Sequence, residues 1–74
     1  MNKNELISTA YKVLEAHDFI KVTQLASAMG VTANRARTAC RYIPDLSETD
    51  NGFLFLVKNY TKEKEAMFLK RSYK

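Results

Sequence analysis

Val22-Thr-Gln-Leu25-Ala26-Ser-Ala-Met29-Gly30-Val31-Thr32-Ala33-Asn34-Arg35-Ala36-Arg37-Thr38-Ala39-Cys40-Arg41 is the stretch on which the fold turns. Two short helices that meet at a steep angle need a small residue at their contact, a tight turn between them and apolar anchors that hold the pair on a core. Leu25, Met29 and Val31 are the anchors, Ala26 is the small contact residue, and Gly30 supplies the turn. Glycine adopts the positive φ needed just past a helix end without a Cβ penalty. Thr23 is the expected cap of the first helix, to about Met29, and Thr32 of the second. The second is expected to run to about Ile43, where Pro44 ends it.

The second helix of the pair has two unlike sides. At about 100° per residue, Asn34, Arg37, Thr38 and Arg41 fall within a sector of about 100°, while Ala36, Ala39, Cys40 and Ile43 lie opposite. One side packs. The other offers donors suited to base edges: Arg grips guanine, Asn grips adenine, and Thr meets a thymine methyl. Arg35 falls on the flank, where backbone phosphate is the natural contact. Thr32 and Ala33 stand at the helix start, where free amides and the helix dipole favour a phosphate. Between residues 32 and 43 there are three Arg and no acid, a net charge of +3. Residues 44–52 carry −3 and residues 53–74 carry +4, so the overall charge of +4 is clustered rather than spread. Clustering of that kind suits a polyanionic partner.

These residues resemble the helix-turn-helix of bacterial and phage transcription regulators. That motif sets an apolar residue before Ala, then apolar-Gly-apolar, then small or apolar residues five and eight positions on. Leu25-Ala26, Met29-Gly30-Val31, Ala36 and Ala39 follow that order. The family more often has larger aliphatics where Ala36 and Ala39 stand. The resemblance covers about twenty of the 74 residues. It implies binding to double-stranded DNA.

Outward from this segment, Leu6, Ile7, Ala10, Tyr11, Val13 and Leu14 recur at spacings of three and four, so a first helix is expected from Asn4 to about Ala16. Asn2 or Asn4 is its cap. Phe19–Val22 is β-rich enough for a brief strand or an extended link. Asp45–Gly52 reads as polar loop, with Asn51-Gly52 as a turn signal. Phe53–Tyr60 is aromatic and β-branched, and a lone strand is not stable, so pairing with Ala66–Tyr73 in a hairpin is the favoured reading. The competing reading makes Thr61 the cap of a helix over Lys62–Arg71, a segment of good helix propensity.

With the hairpin, the class is α+β: three helices and a C-terminal hairpin in one domain over 1–74, with the helix pair at about 22–43 and the hairpin at about 53–73. That order resembles the winged-helix family. The resemblance places Lys58, Lys62 and Lys64 at or near a wing tip spanning Asn59–Lys64, as phosphate contacts. Phe53, Phe55 and Phe68 could stack on unpaired bases, but core packing is the better use of them in so small a chain.

Other classes of function find little support. His17 is the only histidine, and Asp18 points about 100° away from it on a helix, so no base and orienting carboxylate are implied. One Cys and one His make no zinc set, and there is no Gly-rich phosphate loop. No enzyme, cofactor or metal is expected. Cys40 alone cannot form an internal disulfide, which favours a cytoplasmic setting. No signal peptide is read at the N-terminus, and the apolar run Phe53–Val57 is far too short for a bilayer span, so no membrane partner is expected. The expectation is a sequence-specific DNA binder, a small transcriptional regulator or a phage or plasmid accessory protein. The alternative is a protein-binding module on the same scaffold, using the acidic Asp45–Asp50 loop or the apolar hairpin. A homodimer is compatible with a chain this small.

Overall fold

The structure, a computed structural model, describes residues 2–72. α1 spans Lys3–Ala16 and is capped by Asn2, whose Oδ1 accepts from the Glu5 amide at 2.8 Å. Its buried stripe is Leu6, Ala10 and Leu14, one residue per helical turn. β1 (Ile20–Lys21) leads without a break into α2 (Val22–Met29). The expected Thr23 cap is not used. The helix begins one residue earlier, and Gln24 Oε1 accepts from the Lys21 amide at 3.1 Å to close its first turn.

Gly30 ends α2 in the left-handed region at φ 72°, and the Val31 amide returns to the Ala26 carbonyl at 3.0 Å. A Cβ at Gly30 would meet no atom within 4 Å, so the requirement for glycine is conformational and not steric crowding. Thr32 caps α3 (Ala33–Arg41), its Oγ1 accepting from the Arg35 amide at 3.3 Å. α3 ends two residues short of Ile43. The Tyr42 and Ile43 amides close tighter bonds to Ala39 and Cys40, and Pro44 allows no further turn.

β2 (Leu46–Glu48) and β3 (Phe53–Leu56) follow, then a 3-10 turn at Val57–Asn59 and α4 (Lys62–Ser72). β3 is the central strand of a three-stranded antiparallel sheet in the order β1-β3-β2. Ile20 faces Leu54 across one ladder, and Leu46 faces Leu56 across the other. The turn between β2 and β3 is held by the Gly52 amide on the Thr49 carbonyl at 2.9 Å and by Gly52 at φ 86°.

Here the structure corrects the sequence reading. The hairpin joins 46–48 to 53–56, not 53–60 to 66–73, and the segment read as polar loop supplies its first strand. The C-terminal segment is helix, with Thr61 Oγ1 accepting from the Lys64 amide at 3.1 Å. Tyr73, the last residue of the expected second strand, lies outside the described residues. The described chain is therefore a small α+β domain with four helices and a three-stranded antiparallel sheet, one helix more than expected.

The alternation of β3 assigns its two faces. Leu54 and Leu56 are buried in a core with Leu6, Leu14, Ile20, Leu25, Met29, Ala36, Ala39 and Ile43. Phe53 and Phe55 point to the opposite face. There they meet Phe19, Tyr60 and Phe68, with Phe68 of α4 at 4.6 Å from Phe53 and 4.9 Å from Phe19 between ring centroids. The phenylalanines thus pack together rather than standing free as a stacking platform.

Candidate nucleic-acid interface

α3 is the element that carries the candidate site, and its packing fixes how it stands. Ala36 and Ala39 are fully buried and Ile43 nearly so, with Cys40 half-buried beside them. Asn34, Arg35, Arg37, Thr38 and Arg41 are all exposed. The division expected from helical periodicity is the one found. Thr32 is exposed at the start of the helix, whereas Ala33 is half-buried against the core and has less of itself to offer a ligand. The Thr38 hydroxyl is engaged locally, donating to the Asn34 carbonyl at 2.9 Å. What Thr38 has left to offer is mainly its methyl group.

The two flanks of α3 differ. On one side Arg37 and Arg41 border a shallow depression of about 330 Å³ together with Val22, Cys40, Glu48 and Leu54. Glu48 comes from the β2–β3 hairpin, so these arginines run beside an acidic strand. Among the described residues neither arginine forms an ion pair. Burial, and then the Glu48 charge, push the Cys40 thiol above its ordinary pKa, which disfavours the thiolate. On the other flank Arg35 and Thr38 line a second depression with Lys3, Leu6, Ile7 and Tyr42. The sequence alone does not point to Lys3 and Tyr42, since nothing in it links the first residue of α1 to a tyrosine just after α3.

The structure does not join Lys58, Lys62 and Lys64 to this face or set them on a wing tip. Lys58 lies in the 3-10 turn, and Lys62 and Lys64 lie in the first turn of α4. Lys58 Nζ is 3.1 Å from Glu15 Oε2 and 4.9 Å from the Tyr11 ring centroid. Hydrogen bonding to Tyr11 and then to Glu15 raises its pKa. Lys64 Nζ donates to the Asn59 carbonyl at 3.1 Å and lies 3.4 Å from Asp18 Oδ1. Both lysines thus gather at the C-terminal end of α1. Lys3, at the other end, is about 18 Å away along the helix axis. The true hairpin turn between β2 and β3 carries Glu48 and Asp50 where a phosphate-binding wing would need cations.

His17 is exposed, and its neighbour Asp18 pairs with Lys64 instead. Among the described residues no three His, Cys, Asp or Glu stand together as a metal site. No helix there is long and apolar enough to cross a membrane. Compared with protein-family models, curated proteins and solved structures, the chain matches none.

Proposed function

We propose that this chain binds double-stranded DNA in a sequence-specific way, as a winged helix-turn-helix that lays α3 in the major groove. The observation that carries the reading is the division of α3. Buried alanines hold one side to the core, and Asn34, Arg37, Thr38 and Arg41 stand out from the other with no acid among them. The major groove is wide enough for one helix and distinguishes all four base pairs. Arg37 and Arg41 are assigned to guanine edges, Asn34 to adenine, and the Thr38 methyl to thymine. Thr32, Ala33 and Arg35 meet phosphate and set the register. The element order helix, strand, helix, helix, hairpin supports the winged-helix reading, with β2–β3 in the place of the wing. Its acidic turn offers no cation to phosphate, and Lys58, Lys62 and Lys64 stand off it, in the 3-10 turn and the first turn of α4, so they are not assigned to the interface. The role that fits is a small transcriptional regulator or a phage or plasmid accessory protein, acting by occlusion or by shaping DNA. It is a binder, not a catalyst.

Selection from randomised duplexes, followed by fluorescence anisotropy across a salt series, tests this. A defined preferred sequence is expected, with log K falling against log salt at a slope of about −3 to −4, corresponding to three or four neutralised phosphates. Arg37→Ala should cost about 1 to 3 kcal/mol on the selected sequence and relax the preference at one position. A flat selection with no duplex bound at low salt overturns the proposal and moves the role to protein recognition.

A further inference from the structure

We infer that Lys3 and Tyr42 join Arg35 to form a phosphodiester-binding notch on the α1 flank of α3, so that the duplex is gripped at one edge of the groove and not the other. This rests on the reading of α3 as the groove helix and adds the residues that fix its placement.

The first turn of α1 and the residue after α3 come together because the two helices pack across the core. Lys3 Nζ lies 4.0 Å from the centre of the Tyr42 ring, which is itself half-exposed. A ring face holds an ammonium in place but does not cancel its charge. The lysines at the far end of α1 differ in this respect, since Lys58 is neutralised by Glu15 and Lys64 by Asp18. Lys3, Arg35, Thr38 and Tyr42, floored by Leu6 and Ile7, line a depression of about 290 Å³, and among the described residues no acidic side chain lines it. Two cations of different shape thus converge there, and the Tyr42 ring holds one of them in place.

Thr38 belongs both to this notch and to the outward face of α3, so the notch opens at the edge of the surface that would enter the groove. A helix seated in the major groove brings its flanks against the phosphate ridges, and contacts there position the protein without reading sequence. The opposite flank carries Glu48 beside Arg37 and Arg41, which opposes an equivalent grip.

The test uses the full chain, the selected duplex and a scrambled duplex in anisotropy titrations at several NaCl concentrations. Thermal melting checks that each variant is folded. Lys3→Ala should weaken both duplexes three- to tenfold at low salt and make the salt slope shallower by about one. Tyr42→Leu should follow Lys3→Ala, while Tyr42→Phe, which keeps the ring, should stay within twofold of the natural chain. Lys58→Ala removes the same unit of charge elsewhere and should leave the slope unchanged. Equal effects of Lys3→Ala and Lys58→Ala would mean a general field and no site, overturning the inference while leaving the DNA reading intact. Inorganic phosphate at constant ionic strength should displace the duplex no better than chloride; specific displacement would mark a free-anion site and overturn the inference too. If the natural chain binds no duplex at all, the α3 reading fails and takes the notch with it.

Discussion

Ala36 and Ala39 sit where α3 lies against the rest of the helical core, and both are fully buried. Small side chains let helix axes approach closely, and both alanines belong to one core cluster with Leu6, Leu25, Met29 and Leu54. A larger aliphatic at Ala39 has no room unless α3 shifts, and a shift moves the arginine face. Ala39→Leu should therefore destabilise by about 1 to 3 kcal/mol, read from urea denaturation midpoints. A gain in stability would show that the core has a void there. Cys40, next along the helix, makes a pH-dependent prediction. Its pKa is raised, chiefly by burial and secondly by Glu48, so the folded chain holds the thiol proton to higher pH than the unfolded chain does. That contribution to stability is full below the ordinary thiol range and is lost as pH rises through the folded pKa. At pH 8 iodoacetamide should alkylate Cys40 more slowly in the native chain than in urea, and Glu48→Gln should speed the native reaction. Equal rates in the native chain and in urea would show that burial does not protect the thiol.

At the scale of elements, α4 is held differently from the other helices. α1, α2 and α3 share one apolar interior, whereas α4 meets the sheet's outer face through Phe68, which lies tilted against Phe19 and edge-on to Phe53. Met67 on the same helix is largely exposed. Local stability follows local burial. Phe68→Ala should abolish hydrogen-exchange protection across residues 62–72 and leave that of α1, α2 and α3 within a few-fold of the natural chain. Global loss of protection would mean that α4 is part of the cooperative unit.

The same contrast explains what was legible. The helix pair was readable because Gly30, Thr32, Ala36 and Ala39 act through neighbours three or four residues away. The hairpin was not. Its first strand is only Leu46, Ser47 and Glu48, too short and polar to show alternation, so the sequence shows β3 no partner nearby and the helix signal at Thr61 competes with the need for one. The arginine face was legible by the same short-range rule. The Lys3–Tyr42 contact was not, because it depends on how α1 and α3 pack, which no local pattern encodes.

For the molecule as a whole, charge is arranged across α3 and not merely summed. Lys3 and Arg35 stand on one side of it, and Glu48 stands on the other, at the start of the turn that also carries Asp50. The field of such a surface steers a polyanion toward the α1 side and away from the hairpin. On the proposed DNA reading the acidic hairpin repels the duplex, and reversing that charge should strengthen binding without teaching the protein a new sequence. Asp50 is the suitable position: it is exposed within the Thr49–Gly52 turn, and the positive φ of that turn falls on Gly52 and not on it. Asp50→Lys should raise affinity for selected and scrambled duplexes alike, severalfold at low salt, and steepen the salt slope by about one to two as a repelled phosphate becomes a neutralised one. The ratio between the two duplexes should stay constant, because a phosphate contact carries no base information. An unchanged slope would place the turn beyond roughly a Debye length, about 10 Å at 0.1 M salt, from the nearest phosphate. In that event α3 would enter the groove with the hairpin tilted away from the backbone.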